Sequence, residues 1–199
     1  MNNDQLRTVE EAKIRKFLEN NQLGPDEEAA GRDLLELYQT YNPDIVSIER
    51  LKKNTGELLC LKITVHARSH YVEAADEKKP KECDSMWVTV SVPKGYPAKP
   101  LSAHYSIDHR LASANVFKSG IACIDRFVPY KSTLPVVVDK LVNDMIHNTH
   151  YNILDSPANL DLLSWHKKQK PTIDPRMLYR RRSALPPVRK GRALPHGRG

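Results

Sequence analysis

An α+β fold, in which a four-stranded antiparallel meander is flanked by helices in sequence, is what this chain predicts. Three observations carry the prediction. Two segments of helical period open the chain; four short β-patterned runs follow between residues 45 and 107; and a strongly apolar helical segment over 133–146 comes after them. The 199 residues, 40% hydrophobic and 28% charged, suffice for one sizeable core with extensions at both ends. The division this suggests is a helical extension over 1–25, a main domain over 26–169 and a tail over 170–199.

The first helix is expected over 8–20. Thr8 with Glu11 three residues on forms a capping-box signature, Ile14, Phe17 and Leu18 share a face, and Gly24-Pro25 ends it. A second helix over 26–41 carries Leu34, Leu35, Leu37, Tyr38 and Tyr41 at helical spacing, and Asn42-Pro43 stops it. Strands are expected over 45–51, 58–67, 86–92 and 102–107, with Asn54-Thr55-Gly56 as the turn between the first two. The charged interval 73–84 reads as a loop, longer than a hairpin needs. The helix over 133–146 places Leu134, Val137, Val138, Leu141, Val142 and Met145 on one broad face and reads as the main core helix. A late helix is expected over 160–168.

The tail is a different material. From residue 170 onward nine Lys or Arg stand against one Asp, a net of +8, which leaves −1 for the rest of a chain whose total is +7. With five prolines and no periodicity it cannot bury enough apolar surface to order itself, and it is expected to be flexible, with Met177-Leu178-Tyr179 as a docking point. Its charge suits sequence-independent contact with nucleic acid or an acidic protein face, and equally a solubilising role.

No apolar run approaches the roughly 18–20 residues of a membrane span, and the start Met1-Asn-Asn-Asp-Gln lacks the order of a secretion signal. Three cysteines without a C-x-x-C pair fit a reducing compartment, so a cytoplasmic protein without membrane contact is expected. The histidines offer the spacings His66/His70 and His147/His150 and no zinc-like set of three or four ligands. No G-x-x-x-x-G-K phosphate loop is present, so no metal or cofactor is expected.

The chemistry concentrates in 113–125, where an irregular stretch carries Asn115, Gly120 and the thiol of Cys123. A glycine three residues before a cysteine lets backbone approach closely and leaves sulfur partly exposed, as a reactive thiolate needs. An upstream amide can donate to an oxyanion. A lone Cys after an apolar pair also suits a small buried hydrophobe. The run Cys123-Ile124-Asp125 follows Asn115 by eight residues, after an alternating strand and the turn Tyr96-Pro97-Ala98-Lys99-Pro100, and before the core helix.

In this order the chain resembles the ubiquitin-conjugating enzymes over about residues 34–165. Asn115 matches the Asn of the family's His-Pro-Asn, and Gly120, Cys123, Ile124 and Asp125 match its Gly and Cys-Leu-Asp block. Ser113 and Ala114 stand in place of His and Pro, Leu101 in place of the second Pro after the Tyr-Pro turn, and Lys131 where the family's Trp falls, with Tyr130 beside it. His109 is the nearest upstream histidine to serve that loop. The resemblance implies a divergent member of the bacterial kind, found beside an activating enzyme, a ubiquitin-like modifier and a metallopeptidase, with a role in antiviral defence. It implies the conjugating-enzyme fold for 26–169 and Cys123 as the nucleophile that receives the modifier as a thioester and passes it to a protein lysine. It further implies Asn115 as oxyanion donor, Asp155 before Ser156-Pro157 as the residue that orients the acceptor lysine, and an N-terminal helix as the surface for the activating enzyme. ATP would be used by that partner. Asn115 as a loop-shaping amide, Asp155 as a turn residue, a non-catalytic binding module on the same fold, and a nucleic-acid-binding adaptor driven by the tail are the competing readings.

Overall fold

Two helices lead the chain onto its sheet in the computed structural model, which describes residues 2–19, 22–124, 128–147, 158–166, 168 and 173–180. Helix α1 (Asn3–Leu18) begins five residues earlier than Thr8 suggests. Asn2 Oδ1 accepts from the Gln5 N–H at 2.9 Å and the Gln5 side chain accepts from the Asn2 N–H at 3.0 Å, so the capping box lies upstream of Thr8, at Asn2 and Gln5. Thr8 instead donates its hydroxyl to the Asp4 carbonyl inside the helix. Helix α2 (Pro25–Thr40) starts on Gly24-Pro25, with proline at its first position where no N–H is missed. The same dipeptide that ends the first helical pattern therefore opens the second helix. The two helices touch closely at Gly31, where an added Cβ would lie 2.8 Å from a Leu18 methyl carbon.

Four strands follow as the alternation predicts: β1 (Val46–Arg50), β2 (Glu57–Val65) and, after an intervening hairpin, two more. That hairpin, β3 (Ser69–Glu73) with β4 (Asp76–Cys83), occupies the charged interval expected to be a loop. Nothing in its sequence alternates apolar with polar. Its pairing rests on backbone bonds in the register Ser69↔Cys83 and Tyr71↔Lys81, with a Lys81–Glu73 ion pair at 2.7 Å across the strands. Next come β5 (Met86–Pro93), β6 (Ser102–His104) and the short β7 (Arg110–Leu111). One antiparallel sheet runs β1-β2-β5-β6, and a second runs β4-β3-β7, so the single meander of the sequence is accompanied by a smaller sheet.

Alternation decides which face of β5 is inside. Met86, Val88, Val90 and Val92 are buried while Trp87 between them is 39% exposed. Helix α3 (Leu134–His147) covers that inner face with Leu134, Val137, Val138, Leu141, Val142, Met145 and Ile146, all buried, and packs against α2 as well. Each such side chain contributes roughly 1.5–3 kcal/mol relative to an exposed one. Ile14 of α1 belongs to the same core. Helix α4 (Leu160–His166) lies against β4, Leu162 packing with Val72 and Ala112.

Part of the segment read as a flexible tail is docked on the domain. Residues 173–180 form α5 (Pro175–Leu178), capped by Asp174, with Leu178 buried against the main core. The Asn42 N–H donates to the Leu178 carbonyl and the Arg180 N–H to the Thr40 carbonyl, both at 2.9 Å. Tyr179 stacks on Tyr41 with centroids 5.8 Å apart, and both hydroxyls donate to Asp139 of α3. The Arg180 guanidinium reaches Asp4 and Glu11 of α1. Met177-Leu178-Tyr179, read as a docking point of the tail, meets the chain's own surface.

Candidate functional site: the Cys123 loop

The loop that carries Cys123 is stitched to the outer edge of β6. The Tyr105 N–H donates to the Gly120 carbonyl at 2.8 Å and the Ala122 N–H to the Ala103 carbonyl at 2.9 Å. Within the loop Val116 bridges Ala122, and the Phe117 N–H donates to the Ile121 carbonyl, closing a tight turn at Gly120. Gly120 has φ +82, and a Cβ there would sit 2.6 Å from the Tyr105 carbonyl oxygen. The close approach that a glycine allows is thus to the strand beside it.

Across the base of this turn the Cys123 N–H donates to the Asn115 carbonyl at 2.7 Å. That bond sets the half-buried, unpaired thiol and the Asn115 amide on the same small crevice, whose walls include Ile124, Lys140, Leu141 and Asp144 and which has room for about one water molecule. Asn115 is 8% exposed; its side-chain amide donates to Asp144 Oδ1 at 3.4 Å and its own N–H to the Ser113 hydroxyl oxygen at 3.1 Å.

Asp144 is the residue that sequence reasoning missed. It projects from α3 into the loop, 3% exposed, and accepts the Ser113 hydroxyl at 3.0 and 2.8 Å on its two oxygens. Burial pushes its carboxyl from the usual 3.8 up to about 7, the Ser113 and Asn115 donors pulling the other way. The signal was in the periodicity: Asp144 is seven residues after Val137 and three after Leu141, a charge on the apolar face of the core helix. A carboxyl that titrates near neutrality is a group able to exchange protons at working pH.

The other thiols differ. Cys60 is buried in β2, as its strand position suggested, with the Ser91 hydroxyl 3.9 Å from its sulfur. Cys83 is half-buried at the end of β4, and burial raises its thiol. His109 packs against Tyr71 with the rings tilted and their centroids 4.9 Å apart, and does not line the crevice. His66 pairs with the Ser47 hydroxyl at 2.9 Å, while His70 faces Glu82 and the Trp165 ring, so the His66/His70 spacing is not a ligand pair. Among the described residues no cluster of three or more His, Cys, Asp or Glu could hold a metal ion. Nor, among them, is any helix long and apolar enough to cross a membrane.

The Tyr-Pro turn serves as an anchor for α3. Tyr96 donates its hydroxyl to Asp33 of α2 and accepts the Leu134 N–H at the start of α3 at 2.6 Å. Burial raises the carboxyl of Asp33 and the phenol of Tyr96. Tyr130, beside Lys131, is 70% exposed with φ +61, and its N–H donates to the Pro97 carbonyl at 3.1 Å. Asp125 and Asp155 lie outside the described residues. Asn159, beside α4, is placed: its N–H donates to the Ala114 carbonyl at 3.0 Å, so the start of that helix abuts the Ser113–Asn115 turn.

The chain matches no protein-family model and no curated protein sequence.

Proposed function

We propose that this protein is an acyl carrier of the ubiquitin-conjugating type, with the conjugating-enzyme fold and with Cys123 as its nucleophile. The observation that carries this reading is the bond from the Cys123 N–H to the Asn115 carbonyl, which sets a partly exposed thiol and a side-chain amide on one crevice. The succession of two leading helices, the β1-β2-β5-β6 meander, the Tyr-Pro turn, the Cys loop and α3 supports it.

The chemistry is two acyl transfers. The Cys123 thiolate attacks the carbonyl of a thioester at the C-terminus of a ubiquitin-like modifier; a new C–S bond forms and the thiolate of the activating enzyme leaves. A target amine, in the reading favoured here a lysine, then attacks the Cys123 thioester, an amide C–N bond forms, the amine loses its proton and the Cys123 thiolate departs. Both steps pass through a tetrahedral oxyanion. The Asn115 amide carries two N–H donors, of which the contact to Asp144 uses one, and a single oxyanion donor is worth about 3 kcal/mol. No nucleotide or metal is required on this chain, because activation belongs to the partner.

Partners follow from the same reading. Leu6, Val9 and Phe17 stand exposed along α1 and offer the activating enzyme an apolar face. Asp155 is the candidate to orient the acceptor amine, and the basic residues beyond 180 suit an acidic partner or nucleic acid. A cytoplasmic, reducing location agrees with three unpaired thiols.

A charging assay with ATP, an activating enzyme and a ubiquitin-like modifier of a bacterial conjugation system tests the reading. Wild type is expected to give a reductant-sensitive adduct, Cys123→Ser a reductant-resistant one and Cys123→Ala none. Charging of the activating enzyme but never of this protein would overturn the reading and leave a non-catalytic binding module.

A further inference from the structure

We propose that Asp144 is the positioning residue of the Cys123 site: from α3 it fixes the Ser113 hydroxyl and the Asn115 amide, and through Asn115 it sets where the thiol stands. The proposal rests on the acyl-transfer reading of Cys123.

The contacts form one continuous chain between two elements that are far apart in sequence. Asp144 accepts from Ser113 Oγ on both oxygens and from the Asn115 amide on one. Ser113 Oγ in turn accepts the Asn115 N–H, and the Asn115 carbonyl accepts the Cys123 N–H. Each end of the Asn115 residue is therefore held: its side chain and N–H by the Asp144–Ser113 pair, its carbonyl by Cys123. Moving the carboxylate moves all three.

A charge at this place is costly. The neighbouring positions of the same helix face, Val137, Leu141 and Met145, are buried and apolar, and a leucine would satisfy the core without a desolvation penalty. A buried ionisable group whose partners all belong to a candidate catalytic loop serves that loop better than it serves the core. Lys140, one turn earlier on α3, and Cys123 are the titratable side chains that share its crevice. When the carboxyl is neutral, one oxygen becomes a donor, and the pattern that Ser113 and Asn115 meet is changed.

Single-turnover discharge is the test. Wild type, Asp144→Asn, Asp144→Leu, Asn115→Ala and the Asp144→Leu/Asn115→Ala double variant are charged, activation is quenched, and free L-lysine is added while loss of the thioester is followed between pH 6 and 8.5. Asp144→Leu is expected to discharge about tenfold to a hundredfold more slowly, the scale of a misplaced reacting group. The double variant should be within about threefold of the slower single variant, because both substitutions remove one linked arrangement. Asp144→Asn keeps the shape and hydrogen-bonding groups, so its rate should stay within about threefold of wild type at pH 6, with a wild-type to Asn rate ratio that bends near neutral pH.

Discharge of Asp144→Leu at the wild-type rate, or penalties that multiply in the double variant, would overturn the proposal. If Asp144→Leu does not fold by its circular dichroism melt, the Asn variant decides: a rate ratio flat across the pH range overturns it. Wild type that never charges removes the reading of Cys123 and this proposal together, whereas normal wild-type turnover with unaffected Asp144 variants removes this proposal alone.

Discussion

The Ser113 hydroxyl lies 2.8 Å from Asp144 Oδ2 and 3.0 Å from Oδ1, and this pair joins the Cys123 loop to the core helix. In the function proposed above, Ser113 takes the place of the histidine of the conjugating enzymes. The loop is fastened here by a hydroxyl to a buried carboxylate, and the consequences of that choice are measurable.

The stability of the protein should fall as pH rises from about 4 to about 7. Burial raises the Asp144 carboxyl from 3.8 to about 7, so the fold prefers the neutral acid. Its contribution is fully present below the unfolded value and is lost as pH climbs through the folded one, with an upper limit on the order of 4 kcal/mol. Asp144→Asn removes this dependence. Urea unfolding at pH 4, 6 and 8 is expected to show the variant gaining on wild type as pH rises, and a constant difference would mean that the carboxyl does not titrate in this range.

Gly120→Ala is expected to cost on the order of 3 kcal/mol. The positive φ alone is worth about 1–2 kcal/mol for a residue with a Cβ, and the Tyr105 carbonyl leaves no space for that atom. Gly56→Ala is the internal control. Gly56 has φ +93 with nothing within 4 Å of the added atom, so it should show the backbone cost and no more. Denaturation midpoints of the two variants measured side by side check this, and the Gly120 variant should also alkylate faster at Cys123 with iodoacetamide, read by peptide mass spectrometry, as the loop loosens.

Leu178→Ala should destabilise the domain by about 2–5 kcal/mol, and Arg180→Ala by about 1 kcal/mol or less. Leu178 is buried in the main core, whereas the Arg180 pairs with Asp4 and Glu11 involve a side chain 28% exposed to solvent. Thermal melts of both variants give the comparison. Equal, negligible effects would show that residues 173–180 do not hold to the domain in solution.

Much of the fold was legible because its signals are local. Met86, Val88, Val90 and Val92 alternate with outward residues, and Leu134 to Ile146 repeat at helical spacing, so burial on one face is written into the residue order. The hairpin of β3 and β4 was not legible for the opposite reason. Its strand over 76–83, Asp-Glu-Lys-Lys-Pro-Lys-Glu-Cys, has no apolar face, and it exists through backbone pairing with Ser69–Tyr71, a partner the segment itself does not specify. The start of α1 was misplaced because two capping signatures compete: Asn2 with Gln5 caps the helix at its first turn, and Thr8 with Glu11 lies inside it, where N–H groups bond along the helix and need no cap.

At the site, the sequence by itself determined which loop holds the thiol, that Gly120 is its pivot and that Asn115 stands eight residues before Cys123. Tertiary structure decided the rest. Asp144 reaches Ser113 and Asn115 only because α3 crosses beneath the loop, and residues 173–180 join the domain only because Asp4 and Glu11 of α1, Tyr41 at the end of α2 and Asp139 of α3 converge upon them. A periodic pattern reports whether one segment has an inside face; it carries no record of which distant side chain will be waiting there, because that contact arises only when the elements pack.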